Sequence, residues 1–255
     1  MVKSFDWISE LADRTQLIEY LRQRVEIGDH ELYLDTVSAE EFVKLLNSDR
    51  NPSTSTSPRP NPGPSPQPTT TPNSLAVLQE AAAACTSCGL HAERTNSVFA
   101  RGNPNSEIVV VGEAPGEEED KTGLPFVGRA GRLLDLMLQA VGFAKDSVYI
   151  CNTLKCRPPG NRNPLPNEIA ACNGFLRGQL DAIQPKVLLA VGKFAAQTLL
   201  QSEEPIGRLR GQVHKYEGRP VVVTYHPAYL LRSPHAVRTA WQDFQLLRQV
   251  IDEQA

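Results

Sequence analysis

Four short apolar runs punctuate the chain beyond its first hundred residues: Ile108–Gly112, Val148–Ile150, Val187–Val191 and Val221–Thr224. Each is rich in Val and Ile and lacks the alternation of a strand with one wet face. That is the pattern of parallel strands buried on both sides. Between them apolar residues return at helical spacing, over Gly128–Val141, Pro166–Ile183, Lys193–Leu200 and from Ala236 to about Ile251. Strands alternating with helices predict an α/β fold, a doubly wound and mainly parallel four-stranded sheet flanked by helices.

The first part of the chain has a different pattern. Trp7, Ile8, Leu11, Leu17, Ile18 and Leu21 follow helical spacing, and a second short helix is predicted over Ala39–Leu46. Residues 48–73 hold 8 of the 20 prolines and no large apolar side chain, so they cannot bury enough surface to fold. The expected organisation is a small helical appendage over 1–47, a Pro/Ser/Thr-rich linker over 48–73 and a main domain over 74–255. The main domain carries every motif discussed below, which leaves residues 1–73 as the segment open to a protein partner.

No stretch approaches the roughly 20 apolar residues of a membrane helix. The N-terminal MVKSFDWISELADRTQ is broken by acids where a signal peptide needs an apolar run, so a cytoplasmic, monomeric protein with no membrane partner is expected. The formal net charge of −3 hides a division. Residues 1–47 carry 5 Lys/Arg against 10 Asp/Glu, whereas residues 125–238 carry 15 against 7. Polyanion binding depends on where positive charge lies, so the main domain can take nucleic acid.

The residues that end each strand carry chemistry. The first run ends in Gly112-Glu113-Ala114-Pro115-Gly116, the second in Cys151-Asn152-Thr153, the third in Gly192-Lys193 and the fourth in Tyr225-His226-Pro227. In open α/β sheets ligands bind outside the carboxyl ends of the strands. Glu113, Asn152 and His226 are therefore expected to converge on one cleft. Phe194 after Lys193 breaks the phosphate-loop pattern, and Gly112–Gly116 is not GxGxxG, so no nucleotide site is read here.

Cys85 and Cys88 form a CxxC after an alanine-rich helical run, and Cys156 and Cys172 follow sixteen positions apart. The CxxC spacing puts two thiolates on one turn, suited to zinc or iron–sulfur ligation. For Cys156 and Cys172, spacing leaves ligation and plain core burial equally open. Cys151, at an apolar strand end, reads as core.

GEAPGEEED (112–120), LPFVGRAG (124–131), CNTLKCRPPGNRNP (151–164) and HPAYLLR (226–232) together resemble the family 4 uracil-DNA glycosylases. The likeness runs over about residues 76–251 and includes the order of the four cysteines. It implies a base-excision repair enzyme acting on uracil-containing DNA, single- or double-stranded, with Cys85, Cys88, Cys156 and Cys172 holding a [4Fe-4S] cluster. It also implies roles for single residues. Phe126 would stack on the extruded uracil, the alternative being a core aromatic. Asn152 would read the base edge, since a carboxamide accepts from N3–H and donates to O4. His226 would donate to uracil O2, and Glu113 is the nearest acid for placing water. Ala114 fills the slot where better-known uracil glycosylases carry an aspartate. Glu119 would border uracil C5, and Asn161 is a further substrate contact. Tyr229, Leu230, Leu231 and Arg232 would form a loop that wedges into the DNA stack. Two rivals stand beside this reading: a zinc-containing nucleic-acid-binding module without catalysis, and a metal-dependent nuclease, which would need more carboxylates at strand ends than Glu113.

Overall fold

The computed structural model describes residues 72–254; the N-terminal appendage and nearly all of the linker lie outside them. The first described helix, α1 (Pro72–Ala84), starts two residues inside the segment expected as linker. Proline suits a first helical turn because its missing N–H has no partner there anyway.

The sheet has six strands rather than the four expected. They are β1 (Ala100–Gly102), β2 (Ile108–Gly112), β3 (Tyr149–Asn152), β4 (Val187–Val191), β5 (Val213–Tyr216) and β6 (Arg219–Thr224), in the order β1-β3-β2-β4-β6-β5. The central β3-β2-β4-β6 set is parallel, and its strands are those read from the Val/Ile runs. Both additional strands pair antiparallel at the edges, β1 on β3 and β5 on β6. Edge strands need only one partner and one dry face, so their sequences carry no apolar run.

Helices cover both faces. They are α2 (Glu117–Thr122), α3 (Arg129–Ala140), α4 (Pro166–Ile183), α5 (Lys193–Leu200), α6 (Ile206–Leu209), α7 (Pro227–Arg232) and α8 (Val237–Asp252). Side chains alternate along β2: Ile108 and Val110 join the core under α3, α7 and α8, while Val109 and Val111 join the core under α4, α5 and α6. Each such buried side chain contributes about 1.5–3 kcal/mol, so the sheet anchors both cores of the described residues. Cys151 is fully buried in the second core, as its strand position predicts. Among the described residues no helix is long and apolar enough to cross a membrane.

From β2 the chain passes to β3 on one side, then crosses to β4 on the other. That reversal opens a crevice at the carboxyl ends of β2 and β4, where this architecture binds ligands.

Candidate active site

Gly112 ends β2 and sets the floor of the crevice. A Cβ there would come within 2.5 Å of the Phe126 ring and would also overlap the Asn152 side-chain oxygen. Only glycine lets these two groups meet. Asn152, the last residue of β3, is 1% exposed, and its Oδ1 has no hydrogen-bond partner among the described residues. A buried acceptor left unpaired costs about 1–3 kcal/mol, which marks it as waiting for a donor.

The Phe126 ring lies 5.8 Å from the His226 ring, centroid to centroid, so the segment after β6 joins the same cleft. His226 caps α7, and its Nδ1 accepts from the Ala228 N–H at 3.2 Å. The proton therefore sits on Nε2. Burial, helped by the Arg232 charge and opposed by Glu119, pulls the His226 pKa down to about 4. The ring is a neutral Nε2–H donor at pH 7.

Glu113 follows Gly112 and is partly buried; desolvation raises its pKa to about 7, with the Lys193 charge acting the other way. Lys193 opens α5 directly after β4, so this strand end also faces the crevice. Carboxyls tuned near neutrality are characteristic of acid–base work.

Glu119 does something the motif does not reveal. Its Oε1 accepts from Val127 N and Gly128 N, each at 2.9 Å, and its Oε2 accepts from Gly116 N at 3.1 Å. Both oxygens are taken by backbone amides, tying the loop after β2 to the loop carrying Phe126. Ala114 packs beside Leu154, Cys156 and Cys172. Asn161 is exposed and accepts from Arg157 Nε at 2.7 Å, on a surface turn.

The HPAYLLR segment is a helix, not a loop, because Pro227 suits the first turn and His226 caps it. Helical spacing then turns Leu230 inward. It is 1% exposed within the first core, which corrects its assignment as a DNA contact. Leu231 is partly buried against that core, whereas Tyr229 and Arg232 are exposed.

The four cysteines line one cavity with Arg94, Lys155 and Phe175. Two N–H groups donate to sulfur, Arg94 Nη1 to Cys156 Sγ at 3.1 Å and Lys155 N to Cys172 Sγ at 3.3 Å. These donors pull toward thiolate, but burial outweighs them and raises the pKa of both thiols, that of Cys172 to about 11. Among the described residues no three His, Cys, Asp or Glu side chains are gathered closely enough to hold a metal ion.

A family model of the uracil DNA glycosylase superfamily matches residues 99–245, which span the sheet, Phe126, Asn152 and His226. The chain belongs to this superfamily. A type-4 uracil-DNA glycosylase of Thermotoga maritima is 46% identical over 166 residues, covering 64% of this chain and 86% of the relative. One of Archaeoglobus fulgidus is 44% identical over 169 residues, covering 63% and 85%. A type-5 uracil-DNA glycosylase of Pyrobaculum aerophilum is 30% identical over 167 residues, covering 59% and 71%.

Several residues that support this superfamily site are silent in the sequence. Lys155 is buried, and its Nζ donates at 2.6 Å both to the Asn152 carbonyl and to Gln179 Oε1. It ties the end of β3 to α4 and, through its own N–H, to Cys172. Arg210 makes a two-point pair with fully buried Asp243, at 3.0 and 2.8 Å, and stacks on Tyr225 next to His226. Removing one member of such a pair costs about 3–5 kcal/mol. A lysine between Asn152 and a cysteine, within a motif, was the one available signal; the Arg210–Asp243 pair had none.

Proposed function

We infer that this chain is a monofunctional uracil-DNA glycosylase, which hydrolyses the N-glycosidic bond of deoxyuridine in DNA and leaves an abasic site. The observation that carries the base assignment is the unpaired, buried Oδ1 of Asn152 at the floor of the crevice. Uracil N3 bears a hydrogen and satisfies that acceptor. Cytosine N3 is itself an acceptor and would leave the two facing each other, a costly mismatch in a dry site.

A stacked base is out of reach, so the nucleotide must be extruded into the cleft. Phe126, 6% exposed and part of the first core, would turn its ring face to the flipped base, and Asn152 would pair with N3–H and O4. Bond breakage places negative charge on uracil N1 and O2. The neutral Nε2–H of His226, whose ring lies 5.8 Å from that of Phe126 and is fixed through Nδ1, would stabilise that charge with little reorganisation. Glu113, ionised above about pH 7, positions water against the sugar carbon as it gains positive character. Tyr229 and Arg232, both exposed and three residues apart on one face of α7, would meet the DNA, an aromatic edge beside a cation suited to filling the vacated stack.

Cys85, Cys88, Cys156 and Cys172 fit a [4Fe-4S] cluster, because they are four sulfur donors around one cavity with N–H groups aimed at sulfur. When bound, the cluster supplies a structural cross-link between the end of α1 and the segment after β3. Replacing any of the four by serine is expected to lower iron content and melting temperature together, since a bound group stabilises the fold that binds it. Cys151→Ser should keep its iron. Equal iron loss at all five positions, by colorimetric assay on purified protein, would show the ligand set to be wrong.

The function is tested by incubating purified protein with a uracil-containing oligonucleotide in EDTA and measuring abasic sites. Release without added divalent metal is expected, because the cleft provides positioned donors for the leaving anion. The single-turnover rate should rise with pH through about 7 as Glu113 ionises, and Glu113→Gln should be slow and flat over that range. Cleavage that needs magnesium, or uracil left in place, would refute the glycosylase reading.

A further inference from the structure

We propose that Arg101, on edge strand β1, is a positioning residue that acts through Phe126 and sets the angle of the stacking platform. The proposal rests on the reading of Phe126 as the residue that stacks on uracil. Phe126 has φ +54, a left-handed conformation that a bulky residue adopts only when its surroundings impose it, at a cost of about 1–3 kcal/mol. The structure shows what imposes it. Arg101 Nε donates to the Pro125 carbonyl at 2.8 Å, and Nη2 donates to the Phe126 carbonyl at 3.3 Å. The same Nη2 meets Asp135 Oδ1 of α3 at 2.5 Å, which fixes the plane of the guanidinium. Both side chains of this pair are mostly buried, at 11% and 14% exposure, so solvent screens it little.

The carbonyl has no room to retreat. Gly131, in the first turn of α3, lies so close that a Cβ there would overlap the Phe126 carbonyl and sit 2.7 Å from its Cα. On the other edge of the same peptide, Glu119 accepts from the Val127 N–H, and then from the Gly128 N–H beyond it. Phe126 is therefore clamped before its Cα by Arg101 at the Pro125 carbonyl, and after it by Arg101 and Glu119 on the two edges of the following peptide. A base entering the cleft meets a ring already set rather than one that must first be ordered, which is the benefit of preorganisation. A guanidinium is needed because one planar group must address two carbonyls and a carboxylate at once.

The test is a double-mutant cycle on full-length protein, read as single-turnover uracil release from a short oligonucleotide. Arg101→Met is expected to slow release roughly 10- to 100-fold in the wild-type background, the range that a misplaced contact group costs. In a Phe126→Ala background it should cost less than about 2-fold, the limit of ordinary additivity. Arg101→Lys, which keeps charge but loses the fork, should fall between wild type and Arg101→Met. Should Arg101→Met fail to fold, as judged by melting, Asp135→Asn removes the orienting carboxylate with Arg101 still present and is run through the same cycle. Equal slowing in both backgrounds would mean that Arg101 acts elsewhere and overturns the proposal. No slowing in either background overturns it as well. Normal release by Phe126→Ala alone would instead refute the stacking reading, and the proposal would fall with it.

Discussion

His226→Ala is expected to slow uracil release by about 10²–10³-fold, the usual consequence of removing one preorganised donor to a developing anion. The geometry makes the prediction specific. With Nδ1 engaged by Ala228 N, the only free ring nitrogen is Nε2, and it carries the proton. A pKa near 4 means that the wild-type rate should show no loss attributable to this ring between pH 6 and 8. The same shift has a stability consequence. In the unfolded chain the group titrates near 6.5, so between about 4 and 6.5 the unfolded state binds more protons than the folded one. The contribution of His226 is thus full above about pH 6.5 and is lost as pH falls toward 4. The alanine variant should have a shallower acid side in its melting curve, alongside its slower chemistry. Single-turnover kinetics within a few-fold of wild type would remove His226 from the reaction.

What the sequence made legible, and what it hid, follows from the reach of each signal. The four parallel strands were readable because burial on both faces demands unbroken Val/Ile runs. Strands β1 and β5 were hidden because an edge needs no such run: Val213–Tyr216 alternates exposed and half-buried positions, and Ala100–Gly102 is three residues long. Asn152 and His226 were placed correctly by a topological rule, since strand ends converge whatever lies between them. Residues that work by holding others could not be found that way. Arg101 is tied to Phe126 by hydrogen bonds across 25 residues of sequence, and Arg210 to Asp243 across 33, with no periodicity linking either pair. Leu230 shows the opposite error. A recognisable motif named it as a contact, but the helix that the motif forms turns it into the core. Glu119 likewise looks like a surface acid within a run of acids. Its three backbone partners become visible only once the two loops it joins are in place.

Asn152→Asp should have a comparably large effect of a different kind. The substitution keeps an acceptor for uracil N3–H but puts a second acceptor against O4, where the carboxamide had a donor. The new carboxyl would also be deeply buried beside Lys155 Nζ, which donates to the carbonyl of the same residue and whose own pKa burial pulls down. Uracil release is expected to fall on the order of 10³-fold, because sites built around a complementary hydrogen bond reject its mismatch by large factors. The same carboxylate accepts from the exocyclic amine of cytosine, so slow cytosine release should become measurable on strands where wild type shows none. His226→Ala predicts the contrary pattern: its donor addresses O2, which both bases possess, so uracil release slows with no gain on cytosine. The decisive result is therefore the contrast between the two variants on U- and C-containing strands under single-turnover conditions. If Asn152→Asp releases uracil as fast as wild type, the unpaired Oδ1 does not read the base, and selection must lie in the fit of the ring between Phe126 and His226.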